Sequence, residues 1–296
     1  MFSPRGIRFS TFVVLLVAAF IRPLFTLFTT AMDDDLNSYI LLIPFVSLYF
    51  LFLERHRLTT EHESSPTWAA LPAVAGVAAL ILFSIPAASQ TSLNNRTALI
   101  ISSFVCFVWT GGFLLMGKRW MRSAAFPMLF LAFLIPLPDQ LVGWMETSLQ
   151  SASAWAADMF FALSGTPALK TGNVLELPGI SIQVAQECSG IRSTWVLFIT
   201  SLLAAQLFVT RPLSRLILAA AVIPLGILRN GFRIMVIGLL CVHVDPDMIH
   251  SIIHRRGGPI FFVLSLGPLL FLLWILRRRE LRSRSSMGAL SLETSR

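Results

Sequence analysis

Apolar residues in this chain come in long, nearly unbroken runs rather than in the narrow stripes of helices packed on a water-soluble core. A window of ~19 residues finds eight such runs, near 10–31, 37–53, 67–86, 98–117, 123–142, 189–209, 214–241 and 258–276. Each approaches the ~20 residues a helix needs to cross a bilayer. The pattern predicts an all-α polytopic membrane protein of about eight transmembrane helices, with residues 1–276 as a single integral membrane domain. The first run continues past Arg22 with no small-x-small cleavage site, so it reads as a retained helix, and Arg22 needs a partner or a route to the interface.

One connection, 143–188, is long. From Gly143 to Ser164, Trp144, Met145, Leu149, Trp155, Met159 and Phe160 alternate with Ser, Glu146 and Asp158, the pattern of an amphipathic helix in the membrane interface. From Asn173 to Val184, alternating residues flank Pro178-Gly179, the signature of a short β-hairpin. Both elements fall between the fifth and sixth runs. The segment 277–296 is a short, Ser- and Arg-rich tail that reads as unstructured.

Composition narrows the class: 55% of the 296 residues are apolar and 13% charged, against about 25% charged in soluble domains. A globular protein in water is excluded. The net charge of +8 implies no nucleic-acid partner, because the basic residues gather in short segments between runs. Arg5, Arg8, Arg55, Arg57, Lys118, Arg119, Arg122, Arg211, Arg215 and six tail arginines fall on one side, fifteen in all; Arg96, Lys170, Arg255 and Arg256 fall on the other. Fifteen against four places both termini in the cytoplasm and the 143–188 connection outside the cytoplasmic (inner) membrane. Three cysteines make neither a disulfide framework nor a zinc pattern, and Cys106 reads as a small buried hydrophobe.

Three polar clusters stand at the ends of apolar runs, where burial would be expensive. Glu187-Cys188-Ser189-Gly190-Ile191-Arg192-Ser193 opens the sixth run, Arg229-Asn230-Gly231-Phe232-Arg233 interrupts the seventh, and His254-Arg255-Arg256-Gly257-Gly258 leads into the eighth. A charge deep in the bilayer costs ~2.5–3.5 kcal/mol on insertion scales, so the clusters should face one another or a wet cavity. Topology puts all three on the outer side. A thiol, a histidine and arginines there suit a nucleophilic cysteine, since a neighbouring cation raises the thiolate fraction and an arginine can stabilise an oxyanion. Each residue also has a structural reading. Cys188 and Cys241 can be inert buried thiols, Gly190 a packing glycine, Arg192 an ion-pair partner of Glu187 or Asp158, and His250 and His254 exposed loop residues. His243, His250, Asp245 and Asp247 lack a ligand spacing that would mark a metal site, and no cofactor is implied.

The ordered set resembles the exosortase/archaeosortase family of membrane-embedded cysteine transpeptidases. The segment from Glu187 to Ser193 is similar to the family's cysteine motif, Asn230-Gly231-Phe232-Arg233-Ile234 to its N-x-x-R-I segment, and His254 to Gly258 with Phe261 to its H-x-x-x-G segment. Arg255 and Pro259 depart from the polar and aromatic residues expected beside the last motif. The resemblance implies catalysis by Cys188, Arg233 and His254. It places Glu187, Ser189, Gly190, Arg192, Ser193, Asn230, Arg255, Arg256 and Gly258 in supporting or substrate-binding positions. It also implies that the substrates are exported proteins carrying a C-terminal motif, a transmembrane helix and a basic cluster, released to an unknown acyl acceptor. In bacterial members the motif is typically Pro-Glu-Pro and the genes often accompany exopolysaccharide synthesis. A transporter or flippase for an anionic substrate would instead keep its function without Cys188, and a membrane acyltransferase using His254 as base would form no acyl-enzyme.

If the basic-residue count sets orientation, reporters fused after Met116 should be cytoplasmic and those placed near residues 90 and 170 extracytoplasmic. An inverted pattern would move Cys188 to the cytoplasm and end a role on exported proteins.

Overall fold

The computed structural model describes residues 4–34, 36–56, 65–85, 90–185, 189–245 and 258–293, with backbone alone at 258, 259 and 284–293. The chain forms two compact units, Met1–Val142 and Gly143–Arg296.

In the first unit the opening apolar run is two helices, α1 (Pro4–Ala19) and α2 (Ile21–Asp33), bent by 73°. Pro23 accounts for the bend: it has no N–H for the Ala19 carbonyl, and its ring crowds that oxygen. Beyond the bend α2 buries Leu24, Leu27 and Ala31 on one face. The second run opens as a 3-10 turn, Ser38–Leu42, before α3 (Ile43–Leu53), and together they are shorter than a full span. The third and fourth runs become α4 (Pro66–Ser84) and α5 (Leu93–Gly111), joined where the Ser103 hydroxyl donates to the Gly76 carbonyl at 2.8 Å. On its other side α4 turns Leu71, Val74 and Ile81 outward at 76%, 68% and 58% exposure, a surface suited to lipid rather than water.

The fifth run, expected as one span over 123–142, is broken. Its residues form α6 (Lys118–Ser123), which begins ahead of it, α7 (Ala125–Phe130), a 3-10 turn at Leu131–Leu134 and an extended link at Ile135. Pro136 and Pro138 remove the donors that would continue the helix. The link is tied to the start of α5: Asn94 Nδ2 donates to the Leu137 carbonyl at 2.8 Å and to the Asp139 carboxylate at 2.7 Å, and the Ser92 hydroxyl donates to the same carboxylate. The described residues therefore carry five helices long and apolar enough to cross a membrane, or up to seven if each bent pair is one span. Among the described residues, prolines and a 3-10 turn divide or shorten three of the eight expected runs, so that fewer than eight are continuous helices.

The second unit contains most of α8 (Asp139–Ser164), the helix expected to begin at Gly143. It buries Gln150, Ser153, Ala154, Ala157 and Phe161 along one face and exposes Trp144 and Trp155. Three strands follow, β1 (Leu169–Thr171), β2 (Val174–Leu177) and β3 (Ile180–Gln183), in an antiparallel sheet of order β1-β2-β3. The expected hairpin is β2–β3, with Leu177 opposite Ile180 and Val174 opposite Gln183. Pro178 presets the first turn residue and Gly179, at φ +82°, supplies the left-handed second. The added strand β1 carries too few residues to alternate visibly.

The last elements are α9 (Ile191–Phe208), α10 (Pro212–Ala220), α11 (Val222–His243) and α12 (Gly258–Glu293). Helix α12 runs on through the Arg-rich tail, where the Arg278 guanidinium lies 4.0 Å from the Trp274 ring centroid. Two apolar clusters hold this unit. One joins Ala154, Ala157 and Phe161 of α8 to Leu175, Leu177 and Ile182 of the sheet, Val184, and Ile234 of α11. The other joins Leu197 and Ala205 of α9, Val209, Leu218 of α10, Val222 of α11, and Leu269, Leu273 and Leu276 of α12.

Beyond the second cluster, Glu280 of α12 is 5% exposed. Its carboxylate accepts the Thr210 N–H at 2.9 Å, the Thr210 hydroxyl at 2.8 Å and the Arg211 N–H at 3.0 Å, satisfying donors that the start of α10 leaves open. Glu280→Ala should lower the thermal midpoint of the detergent-solubilised protein, the charge-assisted bonds being worth about 1.5–3 kcal/mol. Glu280→Gln, which keeps one accepting oxygen, should fall between. An unchanged midpoint in Glu280→Ala would remove this carboxylate from the stability of the unit.

Candidate active site

The described residues on either side of 186–188 are held by hydrogen bonds. Upstream, Val184 is 2% exposed; its N–H donates to the Asn173 carbonyl at 2.9 Å and its own carbonyl accepts from Gln150 Nε2. Downstream, Ser189 is buried and its hydroxyl accepts the Ile191 N–H at 3.4 Å. Gly190 caps α9 in the left-handed conformation, at φ +75°. Glu187 and Cys188 lie outside the described residues, as do Asp247, His250, His254, Arg255 and Arg256.

Gly190 is where the first two polar clusters meet. A Cβ on it would lie 3.0 Å from Arg229 Nη2 and 3.0 Å from Asn230 Cγ, so the backbone angle favours glycine and a side chain would also press on both neighbours. Its carbonyl accepts from three donors: the Thr194 N–H at 3.0 Å, the Ser193 hydroxyl at 3.1 Å and Arg229 Nη2 at 3.2 Å. The same Arg229 nitrogen reaches the Thr194 hydroxyl at 3.3 Å. Arg229 and Asn230 are buried, 7% and 2% exposed. A guanidinium at such a position calls for oxygen acceptors, and the start of α9 supplies two for Nη2, while Nη1 is buried with no hydrogen-bond partner among the described residues. Arg233 is half-buried one turn further along α11, on the same line of the helix as Arg229. Arg192 is exposed on α9.

Helix α12, which follows the third cluster in the chain, packs on α11. Gly258 opens α12, and Phe261, 7% exposed, stands 6.3 Å ring to ring from Phe232 of α11. Phe232 also meets Phe160 of α8 at 5.9 Å. Helix α8 approaches α11 closely at Gly231, where a Cβ would lie 2.6 Å from Ala156 Cβ and 2.9 Å from the Ala157 nitrogen. The structure thus brings together Ser189, Gly190, Ser193, Arg229, Asn230 and the first turn of α12, while Arg192 is on the exposed side. Two participants escape the sequence reading. Thr194 stands one residue past the polar cluster, and Gln150 is an amide on the small-residue face of α8, a signal visible only once that face is known to be buried.

The described part of the site consists of hydrogen-bond donors and carbonyls. Among the described residues no three His, Cys, Asp or Glu side chains are grouped to hold a metal ion. Cys106 is half-buried in α5 and Cys241 buried in α11.

Comparison with known proteins assigns a family. No curated protein and no solved structure matches the chain. A family model described as transmembrane exosortase (Exosortase_EpsH) matches residues 29–271. The match runs from α2 into α12 and takes in all three polar clusters, and on that extent the chain belongs to the transmembrane exosortase family.

Proposed function

We propose that this membrane protein-sorting transpeptidase cleaves exported proteins ahead of a C-terminal transmembrane helix and basic cluster, through an acyl-enzyme on Cys188. One observation carries the reading: Gly190, two residues after Cys188, is clasped by Arg229 beside Asn230, and the helix that follows His254 packs on Phe232 between Asn230 and Arg233. Two of the three polar clusters thus meet at Gly190, and the helix that follows the third packs on the same stretch of α11.

In the proposed reaction the Cys188 thiolate attacks the scissile carbonyl carbon, and the electron pair moves to the carbonyl oxygen, which Arg233 stabilises. The C–N bond then breaks, His254 protonates the departing amine, and the thioester passes its acyl group to an acceptor nucleophile. His254 takes the acceptor's proton, and Cys188 is regenerated. Arg229 acts as a positioning residue: with its Nη2 on Gly190 and Thr194, it holds the end of the cysteine motif at α11. Glu187, Ser189, Arg192 and Ser193 shape that segment. Strand β3 is an edge of the sheet and offers a template for an extended motif by strand addition, while Arg255 or Arg256 pairs with an acidic motif residue. The site works at the extracytoplasmic face, where a substrate helix diffusing in the bilayer presents its outer peptide bond.

The test is co-expression with an exported protein ending in a Pro-Glu-Pro motif, an apolar helix and a basic cluster, with tail loss read by mass on equally expressed variants. Cys188→Ala, His254→Ala, Arg233→Ala and Arg233→Lys should abolish processing, the last because an ammonium cannot reproduce a guanidinium fork. Cys106→Ala, Cys241→Ala and His250→Ala should remain active, and Arg229→Ala should act mainly by lowering protein level. Normal processing by Cys188→Ala would end the acyl-enzyme reading.

Gly190→Ala gives a separate check on the geometry. A left-handed non-glycine residue costs about 1–2 kcal/mol, and the added methyl also presses on Arg229 and Asn230. Processing should fall by about tenfold or more, and wild-type activity would show that the motif tolerates a different approach to α11.

A further inference from the structure

In the first unit a cavity of about 520 Å³ opens where α1 turns into α2 and beside the facing ends of α4 and α5. Its wall is largely apolar, with Phe20, Leu80, Phe83 and Ile100 among its residues, yet it also carries two guanidiniums, Arg22 and Arg96. The fold explains their meeting. Phe20 packs 5.6 Å from Phe104 and 6.2 Å from Phe107, which sets the end of α1 against α5, and the bend at Pro23 leaves room beside Arg96. Neither arginine is explained by packing alone. Arg22 is exposed and off the buried face of α2, and Arg96 has a buried Nε with no hydrogen-bond partner among the described residues.

No carboxylate among the described residues lines the cavity. The Arg96 guanidinium lies 5.4 Å from the Phe83 ring centroid, a partial counter-charge, and the Thr97 hydroxyl is committed to the Leu93 carbonyl at 2.8 Å. Two cationic side chains on an apolar wall, carried by helices suited to lipid, resist insertion. An anion relieves that cost. Guanidinium forks match phosphate geometry in particular.

We propose that this cavity binds the headgroup phosphate of an anionic membrane lipid, with Arg22 and Arg96 on the phosphate and the apolar wall against the upper acyl chain. The apolar lining favours a lipid over free phosphate, which would leave that wall wet. A volume of about 520 Å³ suits the phosphate and the first methylenes rather than a whole lipid. The site is independent of the sorting reaction and needs no active enzyme to be seen.

The test uses the full-length protein in detergent, titrated with phosphatidylglycerol or phosphatidylcholine and read by native mass spectrometry, with thermal midpoints on the same samples. Phosphatidylglycerol should be held about tenfold more tightly than phosphatidylcholine, should raise the midpoint, and should resist displacement by excess inorganic phosphate. The Arg22→Gln/Arg96→Gln double variant should lose the preference while keeping the lipid-free midpoint, and Arg22→Lys/Arg96→Lys should retain part of it. If the glutamine variant does not fold, the wild-type comparison and the lysine variant still decide. Equal retention of the two lipids by the wild-type protein, an undiminished preference in the glutamine variant, or displacement by inorganic phosphate would overturn the proposal.

Discussion

A guanidinium buried among helices has to be met by oxygen, and the second half of this protein is arranged around that requirement. Arg229 donates to the Gly190 carbonyl and to the Thr194 hydroxyl. To present that carbonyl the chain enters α9 through a left-handed residue, where glycine is favoured, and a side chain there would press on Arg229 and Asn230. One electrostatic demand therefore fixes a backbone angle, a residue type and the contact between two helices.

The same contact sits at a seam. Along α11, Leu225 packs with the cluster of α9, α10 and α12, whereas Ile234 packs with the cluster of α8 and the sheet. The nine-residue step between them, about 14 Å at 1.5 Å per residue, contains Arg229, Asn230 and Arg233. Polar groups placed within either apolar cluster would be stranded. Placed between the two, they are walled by packed side chains on both sides yet need displace none of them. Val184, fixed by Asn173 and Gln150, delivers the chain to the seam from the sheet side.

Much of this was legible in the residues, and for identifiable reasons. Runs such as 189–209 and 214–241 are long and proline-poor, so hydropathy located α9 and the α10–α11 pair closely. The β2–β3 hairpin followed from Pro178-Gly179 between alternating residues. Over 10–31, 37–53 and 123–142 the helices are less continuous than the runs, because hydropathy counts apolar residues without asking whether the backbone ladder can continue; Pro23, Pro136 and Pro138 interrupt it, and Ser38–Leu42 tightens into a 3-10 turn. At the site, Gly190 and Asn230 stood out as polar or flexible residues in apolar runs. The Arg229–Gly190 bond did not, because a helix period gives the face of an arginine but not the carbonyl it will find on another helix.

The order of the partners along the chain matters for biosynthesis. Gly190 precedes Arg229 by 39 residues, so a ribosome releases the acceptor before the donor. When α11 reaches the translocation machinery, α9 has already been made, and the guanidinium can be passed from water to a waiting carbonyl instead of crossing lipid bare. A helix that carries two arginines, Arg229 and Arg233, is thus one whose partner has been synthesised ahead of it.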